Sequence, residues 1–386
     1  MLHPLLNEAR TRLRRGFTLI ELMISVSLAT LIGVLVYNVF IQQTQAYRVQ
    51  SDLGALQQNL RVGMEMLSRD VAMAGWGAGH DGGVWGLGGQ ATTFGGAGDP
   101  GSPLYAIHVE EDFPLGSGKD AVEIVMMHPD RAMWAWTDTQ VQASCQSSSI
   151  TFAQTDVNQA SLYSSTGVNN RLMCYAPVAG GRPGSWIWSV AGVGAAGTVP
   201  VTTGSELDFT GNCAQNLPRE MICAPPVHVA YYIDNNADGI GMGSADMPVL
   251  YYVPDVYAAQ LSGGFPSTTD IPIALGIEDL QFEVCEGAAG VTGADCQLAT
   301  SWTAGYDLTG LTTEWKNLTA IRIHMVARTL RQDYQRLNVS TPLDLDPNDT
   351  QLLTNPTADG YHRRVATTEV LVRNAVGTWQ ILNSGW

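Results

Sequence analysis

Lysine is almost missing from this chain: Lys119 and Lys316 are the only two in 386 residues. Acids outnumber lysine and arginine by 36 to 20, a formal net charge of −16. A surface of that sign repels phosphate backbones, which disfavours nucleic-acid binding by the bulk of the chain. Proline is missing between Pro4 and Pro100, so no proline there interrupts a helix. Catalytic signatures are missing as well. There is no GxSxG, HExxH, P-loop or CxxC, and the seven histidines fall at 3, 80, 108, 128, 228, 324 and 362 without metal-ligand spacing. Gly77 to Gly82 fits GxGxxG, but it follows a helical pattern and none follows it, so it reads as a surface loop rather than a nucleotide cradle. Glu110, Glu111 and Asp112 read as a solvated loop, and His324, between Ile323 and Met325, as a sheet histidine. Nothing in this inventory supports catalysis, and an anchored periplasmic enzyme would need a convergent polar cleft that the sequence does not show.

Charge is also scarce where it matters most. From Phe17 to Ile41 the only formal charge is Glu21. A helix needs roughly 20 apolar residues to cross a bilayer, so this run is long enough. A carboxylate inside a membrane costs about 2.5–3.5 kcal/mol at the helix centre and less near its end, where Glu21 lies. Arg10, Arg12, Arg14 and Arg15 precede the run, and the positive-inside rule places them in the cytoplasm and everything beyond Ile41 outside the inner membrane. A cleaved secretory signal would need a small-x-small site after the run, and Thr44-Gln45-Ala46 is a poor one.

The helical pattern continues past the membrane. Val49, Leu53, Leu56, Leu60, Met64, Leu67 and Val71 recur at steps of three and four, with Gln57, Gln58, Arg61, Glu65 and Arg69 opposite. Joined to the apolar run, this predicts one helix of nearly sixty residues, about 85–90 Å long. Its first half is expected to pack against other subunits and its second half against a head. Twelve glycines fall within residues 75–101, and the helix is expected to stop at Gly75 or Gly77. Trp76 and Trp85 are the expected anchors of this glycine-rich passage.

Beyond Asp120 the signal is period-two alternation. Residues 121–127, 227–233, 250–253, 280–284, 321–325, 365–372 and 379–382 read as antiparallel strands between turn-rich spacers. Residues 137–220 and 255–270, rich in Ser, Thr, Gly and Ala, read as long loops and short edge strands. The predicted class is α+β: a long N-terminal helix, half membrane-embedded and half amphipathic, packed on an antiparallel sheet head with long disulfide-closed loops. The expected divisions are 1–16, a leader; 17–41, a membrane and assembly helix; 42–75, its amphipathic continuation; 76–118, a glycine-rich loop region; and 119–386, the head. The six cysteines, Cys145, Cys174, Cys213, Cys223, Cys285 and Cys296, are an even set outside the membrane, with 15 possible connectivities. The sequence-local pairs 145–174, 213–223 and 285–296 are the expected ones, each stabilising by roughly 2–4 kcal/mol.

Gly16-Phe17-Thr18-Leu19-Ile20-Glu21, preceded by arginines and followed by an apolar helix, resembles the processing site of type IV prepilins. The resemblance implies a type IV pilin-like fold and a membrane aspartic peptidase, the prepilin peptidase, that cuts between Gly16 and Phe17 and methylates Phe17. It also implies that Glu21 pairs with the free amine of a neighbouring subunit, which relieves two charges stranded in lipid. A second likeness covers Ser68 to Gly75, Gly276 to Phe282, Leu318 to Arg328 and Val370 to Asn374, which look like PilW-type minor pilins. That likeness implies a non-enzymatic role in priming pilus assembly, in a tip complex with other minor pilins, the major pilin and a large tip adhesin, and in adhesion, twitching motility and DNA uptake. The competing expectation is a pseudopilin J-like subunit of a type II secretion system, which shares the leader and the long helix.

Asp234, Asn236 and Asp238 place oxygens at positions 1, 3 and 5 of a loop with Gly239 at 6, as in the first half of a calcium loop. Position 12 is Ala245, with Asp246 one later, so an EF-hand is not expected. Two readings stand side by side: a polar hairpin loop, and a weak calcium site on Asp234, Asn236 and Asp238, joined by Asp246. No other cofactor is expected.

Overall fold

The computed structural model describes residues 17–77, 83–84, 104–110, 113, 119–137, 149–152, 163, 171–176, 184–190, 198–202, 220–234, 247–256, 270–286, 302–304, 318–331 and 360–372. Helix α1 runs from Leu19 to Met73, close to the predicted span. The stop has a local cause: Gly75 adopts φ 72°, the left-handed conformation that ends helices and that only glycine takes at little cost. By compactness the chain divides inside α1, into one unit ending at Leu53 and a second beginning at Gly54.

The second unit carries all the strands. In chain order they are β1 (Gly83–Val84), β2 (Leu104–Tyr105), β3 (Ile107–Glu110), β4 (Ala121–Met127), β5 (Met133–Thr137), β6 (Ser149–Phe152), β7 (Arg171–Ala176), β8 (Gly184–Val190) and β9 (Thr198–Thr202). Then come β10 (Glu220–Ala224), β11 (Pro226–Asp234), β12 (Val249–Val253), β13 (Ile271–Leu275), β14 (Ile277–Glu286), β15 (Trp302–Ala304), β16 (Leu318–Arg328) and β17 (Arg363–Leu371). They form a short β1-β2 ribbon, a five-stranded sheet β13-β12-β11-β4-β3, a four-stranded sheet β15-β14-β16-β17 and a closed barrel β10-β5-β6-β9-β8-β7. Every pairing is antiparallel.

The barrel corrects the reading of residues 137–220 as loops and edge strands. Its strands are short and separated by long polar spacers, so none shows a period-two run long enough to stand out. β3 and the ribbon likewise fall within the stretch read as glycine-rich loop, and Glu110 lies in β3, half-buried, rather than in a solvated loop. Residues 379–382, read as a closing strand, lie outside the described residues.

The predicted stripe is the buried face of α1 in the second unit: Leu56, Leu60, Leu67 and Val71 are buried in one core cluster with strands of both open sheets. Trp76 packs at the margin of that core as expected, whereas Trp85 lies outside the described residues. Gly63 sets how closely helix and sheets approach. A Cβ there would lie 3.1 Å from Leu250 Cδ2 and 3.2 Å from Met325 Sδ, one atom from each open sheet. The two sheets are joined at Gly276, between β13 and β14, where φ is 77° and a Cβ would sit 2.6 Å from the Arg328 carbonyl oxygen. Asn59 Nδ2 donates to the Leu275 carbonyl at that corner, 3.0 Å. Asp120 adds a second join: its amide donates to the Leu280 carbonyl at 2.9 Å, and its carboxylate accepts from the Phe282 amide at 3.0 Å.

Candidate assembly site

The helix start is built from Thr18 and Glu21. The Thr18 hydroxyl accepts from the Glu21 amide at 3.3 Å, and Glu21 Oε2 accepts from the Thr18 amide at 3.1 Å and from its hydroxyl at 3.0 Å. This is a reciprocal capping box, Thr at the cap and Glu three residues later, which satisfies amides that otherwise have no intrahelical partner. Glu21 thus helps start the helix in addition to carrying charge. The role of Thr18 was missed by the sequence reading, although the Thr-x-x-Glu spacing signals it.

No residue from Phe17 to Phe40 is buried; Phe17 is 79% exposed and Leu35 57%. This is an apolar surface with no water-compatible face, and it is the one helix among the described residues long and apolar enough to cross a membrane. Its polar side chains are turned inward on the backbone. Ser25 Oγ donates to the Glu21 carbonyl at 2.7 Å, Ser27 Oγ to Met23 at 2.8 Å and Thr30 Oγ1 to Ser27 at 2.8 Å. Hydroxyls bonded in this way cost little in lipid, where an unsatisfied group costs several kcal/mol, by order of magnitude. Glu21 is the charge left over. Gly16, the residue before the expected cut, lies outside the described residues.

At the other end of the helix, Tyr231 donates its hydroxyl to Asp70 Oδ2 at 2.6 Å, and Arg69 Nε donates to Asp70 Oδ1 at 3.0 Å. Burial, then Asp70, holds the Tyr231 phenol far above its usual value, so it remains a donor at any physiological pH. Asp70 is the only acid of α1 that is buried. It latches the helix to β11, a role that periodicity could not reveal because a buried acid breaks the apolar stripe.

Two expected cysteine pairs are overturned. Cys174 is bonded to Cys223 across 49 residues, so neither the 145–174 nor the 213–223 pair forms. The reason is register: β7 lies beside β10 in the barrel and places Cys174 directly opposite Cys223, whereas sequence locality knows nothing of strand order. Cys285 is also disulfide-bonded; Cys145, Cys213 and Cys296 lie outside the described residues.

Asp234 ends β11 and is buried, while Asn236, Asp238 and Asp246 lie outside the described residues. Burial pulls the Lys119 ammonium below its ordinary value, against the charges of Asp279, Glu278 and Asp234, so a cation of the chain already acts on Asp234. His324 is a satisfied sheet histidine as expected: its Nδ1 lies 3.0 Å from Thr367 Oγ1 and its Nε2 3.1 Å from Glu283 Oε2. Among the described residues no group of three or more His, Cys, Asp or Glu side chains could hold a metal.

The family model described as prokaryotic N-terminal methylation motif matches residues 11–37. The model described as type IV pilus-assembly protein W (PilW) matches residues 230–374, from β11 to just past β17. Over these two segments the chain is similar to type IV pilins of the PilW type. The two matched segments hold the capped, exposed helix start and most of the strands that cover the second half of α1. The barrel falls in neither. Among solved structures, a type IV-like pilin from Thermus thermophilus matches with 11% identity and a TM-score of 0.33, over 83% of this chain and 96% of that one. No curated protein matches the sequence.

Proposed function

We propose that this chain is a minor pilin that primes type IV pilus assembly and sits in a tip complex. Its partners there are other minor pilins, the major pilin and a large tip adhesin, and the pilus serves adhesion, twitching motility and DNA uptake. The observation that carries the proposal is the helix start: a wholly exposed apolar stretch from Phe17 to Phe40 whose only charge, Glu21, lies in its first turn. Prepilin peptidase cuts between Gly16 and Phe17 and methylates the new amine. Before assembly the subunit crosses the inner membrane once with its leader in the cytoplasm; after assembly it is on the cell surface. Glu21 then pairs with the terminal ammonium of a neighbour, so that a cost in lipid becomes a drive to associate.

Two substitutions separate capping from pairing. Glu21→Ala removes both, whereas Glu21→Gln keeps the cap, since glutamine serves at the third helical position, and removes the charge. Both variants are expected to be cleaved normally and to be missing from sheared pili. Wild-type incorporation of Glu21→Gln would overturn the pairing. A deletion strain that keeps its pili but loses secretion of a folded exoprotein would instead assign the chain to a type II secretion system. For the loop that begins at Asp234 we propose a weak calcium site completed by Asn236 and Asp238. Calorimetric titration of the purified protein is expected to show binding at about millimolar calcium, lost in Asp234→Ala with Asp238→Ala.

A further inference from the structure

Helix α1 is unbroken from Leu19 to Met73, so depth along its first stretch can be counted in residues. The apolar run stops at Ile41, and the next charge is Arg48. Between them lie Gln42, Gln43, Thr44 and Gln45, polar but uncharged, then Ala46 and Tyr47. Thr44 Oγ1 donates to the Phe40 carbonyl at 2.8 Å, the same inward bond that the hydroxyls deeper in the run make. Tyr47 is 75% exposed, and Arg48 is exposed too. Arg48 pairs with no acid among the described residues. The nearest acid along the helix is Asp52, one turn farther on, and a cation followed by an acid is the weaker order for such a pair.

We propose that Arg48 and Tyr47 form a lipid-binding site, in which the guanidinium binds phosphates of the outer leaflet and fixes how deep the helix sits before assembly. The proposal rests on reading Phe17 to Ile41 as the membrane-spanning run. Length supports it. From Leu19 to Arg48 the helix rises about 44 Å, at about 1.5 Å per residue. A bilayer measures about 40–45 Å with its headgroups and about 30 Å without them. Setting Arg48 at one layer of phosphates therefore sets the start of the helix at the other. Direction supports it as well. Helical side chains lean toward the N-terminus, so a long side chain at position 48 reaches back over the turn of Thr44, toward the headgroups. Its forked donors match phosphate oxygens, and Tyr47 beside it supplies the amphipathic ring that membrane interfaces favour. A carboxylate of another subunit would satisfy the same guanidinium, but before assembly lipid surrounds the helix and phosphates lie at this level on every side.

Photo-labelling of the full-length mature protein tests it, in vesicles of phosphatidylethanolamine and phosphatidylglycerol. One probe is a phospholipid with a diazirine on its headgroup, the other a phospholipid with a diazirine at the end of an acyl chain. Peptide mass spectrometry reads the labelled residues. The headgroup probe is expected on residues 42–48 and the acyl-end probe around Leu28 to Thr30. Arg48→Gln is expected to lower headgroup labelling of residues 42–48 by about fivefold, the size of one cation's attraction to an anionic lipid surface. Arg48→Lys is expected to keep it, since lysine carries the same charge on a long stem. Undiminished headgroup labelling in Arg48→Gln would overturn the proposal alone, and so would headgroup labelling elsewhere while the acyl-end probe still marks the middle of the run. No acyl-end labelling between residues 17 and 41 would overturn the membrane reading together with the proposal.

Discussion

Leu35 and Leu67 belong to the same helix, yet the first is 57% exposed and the second fully buried. The two stretches of α1 face different environments with different sequence grammars. The stretch up to Leu53 opens with an apolar run that has no polar face, so what covers it must be lipid or other subunits. The stretch from Gly54 has a stripe and a polar back, the pattern of a helix that meets a sheet on one side and water on the other.

The sharpest way to break that comparison is to make one substitution in each stretch. Leu67→Ala is expected to lower the stability of the head by about 2–5 kcal/mol, the cost of a cavity in a packed core. Leu35→Ala is expected to leave head unfolding unchanged. Thermal or denaturant melting of the purified protein reads both. Reduction comes next. Breaking the Cys174–Cys223 cross-strand bond is expected to cost about 2–4 kcal/mol, read as a lower melting temperature once reduction is confirmed by mass spectrometry. Tyr231→Phe is expected to cost about 1–3 kcal/mol, because it leaves a buried oxygen of Asp70 without its donor.

A pH scan sharpens the same contrast from the head side. Glu283 is held below its ordinary value of 4.5, chiefly by its hydrogen bond with His324 and also by Arg322, although burial opposes this. Between that folded value and 4.5 the unfolded chain binds more protons than the folded one. Its contribution is therefore complete above 4.5 and lost as the pH falls through the lowered value. Glu283→Gln should flatten this part of the acid limb of stability against pH. The smallest effect is expected where the two stretches meet. A Cβ at Gly54 would meet nothing within 4 Å, so Gly54→Ala should stabilise by about 0.4–1 kcal/mol.

Much of this was legible in the sequence because it rests on local repetition. The steps of three and four from Leu56 to Val71 marked the buried face, and the alternation in β11, β14 and β16 marked the two open sheets. What stayed hidden depends on partners distant in the chain. The Cys174–Cys223 bond requires knowing that β7 lies beside β10. Gly63 reads as a weak point in a helix until Leu250 and Met325 are seen against it. Asp70 looks like a surface acid until Tyr231 is placed above it. Thr18 is the exception: its capping role was local, in a motif read for processing and not for its hydrogen bonds.

The central claim is that the chain keeps Phe17 to Phe40 bare because processing and assembly use that stretch. Intact-mass and N-terminal peptide spectrometry of the protein from native membranes tests it most directly. The account predicts a mature chain that begins at Phe17 with one methyl group on its amine. A chain that retains residues 1–16, or that begins after Ala46, would contradict it.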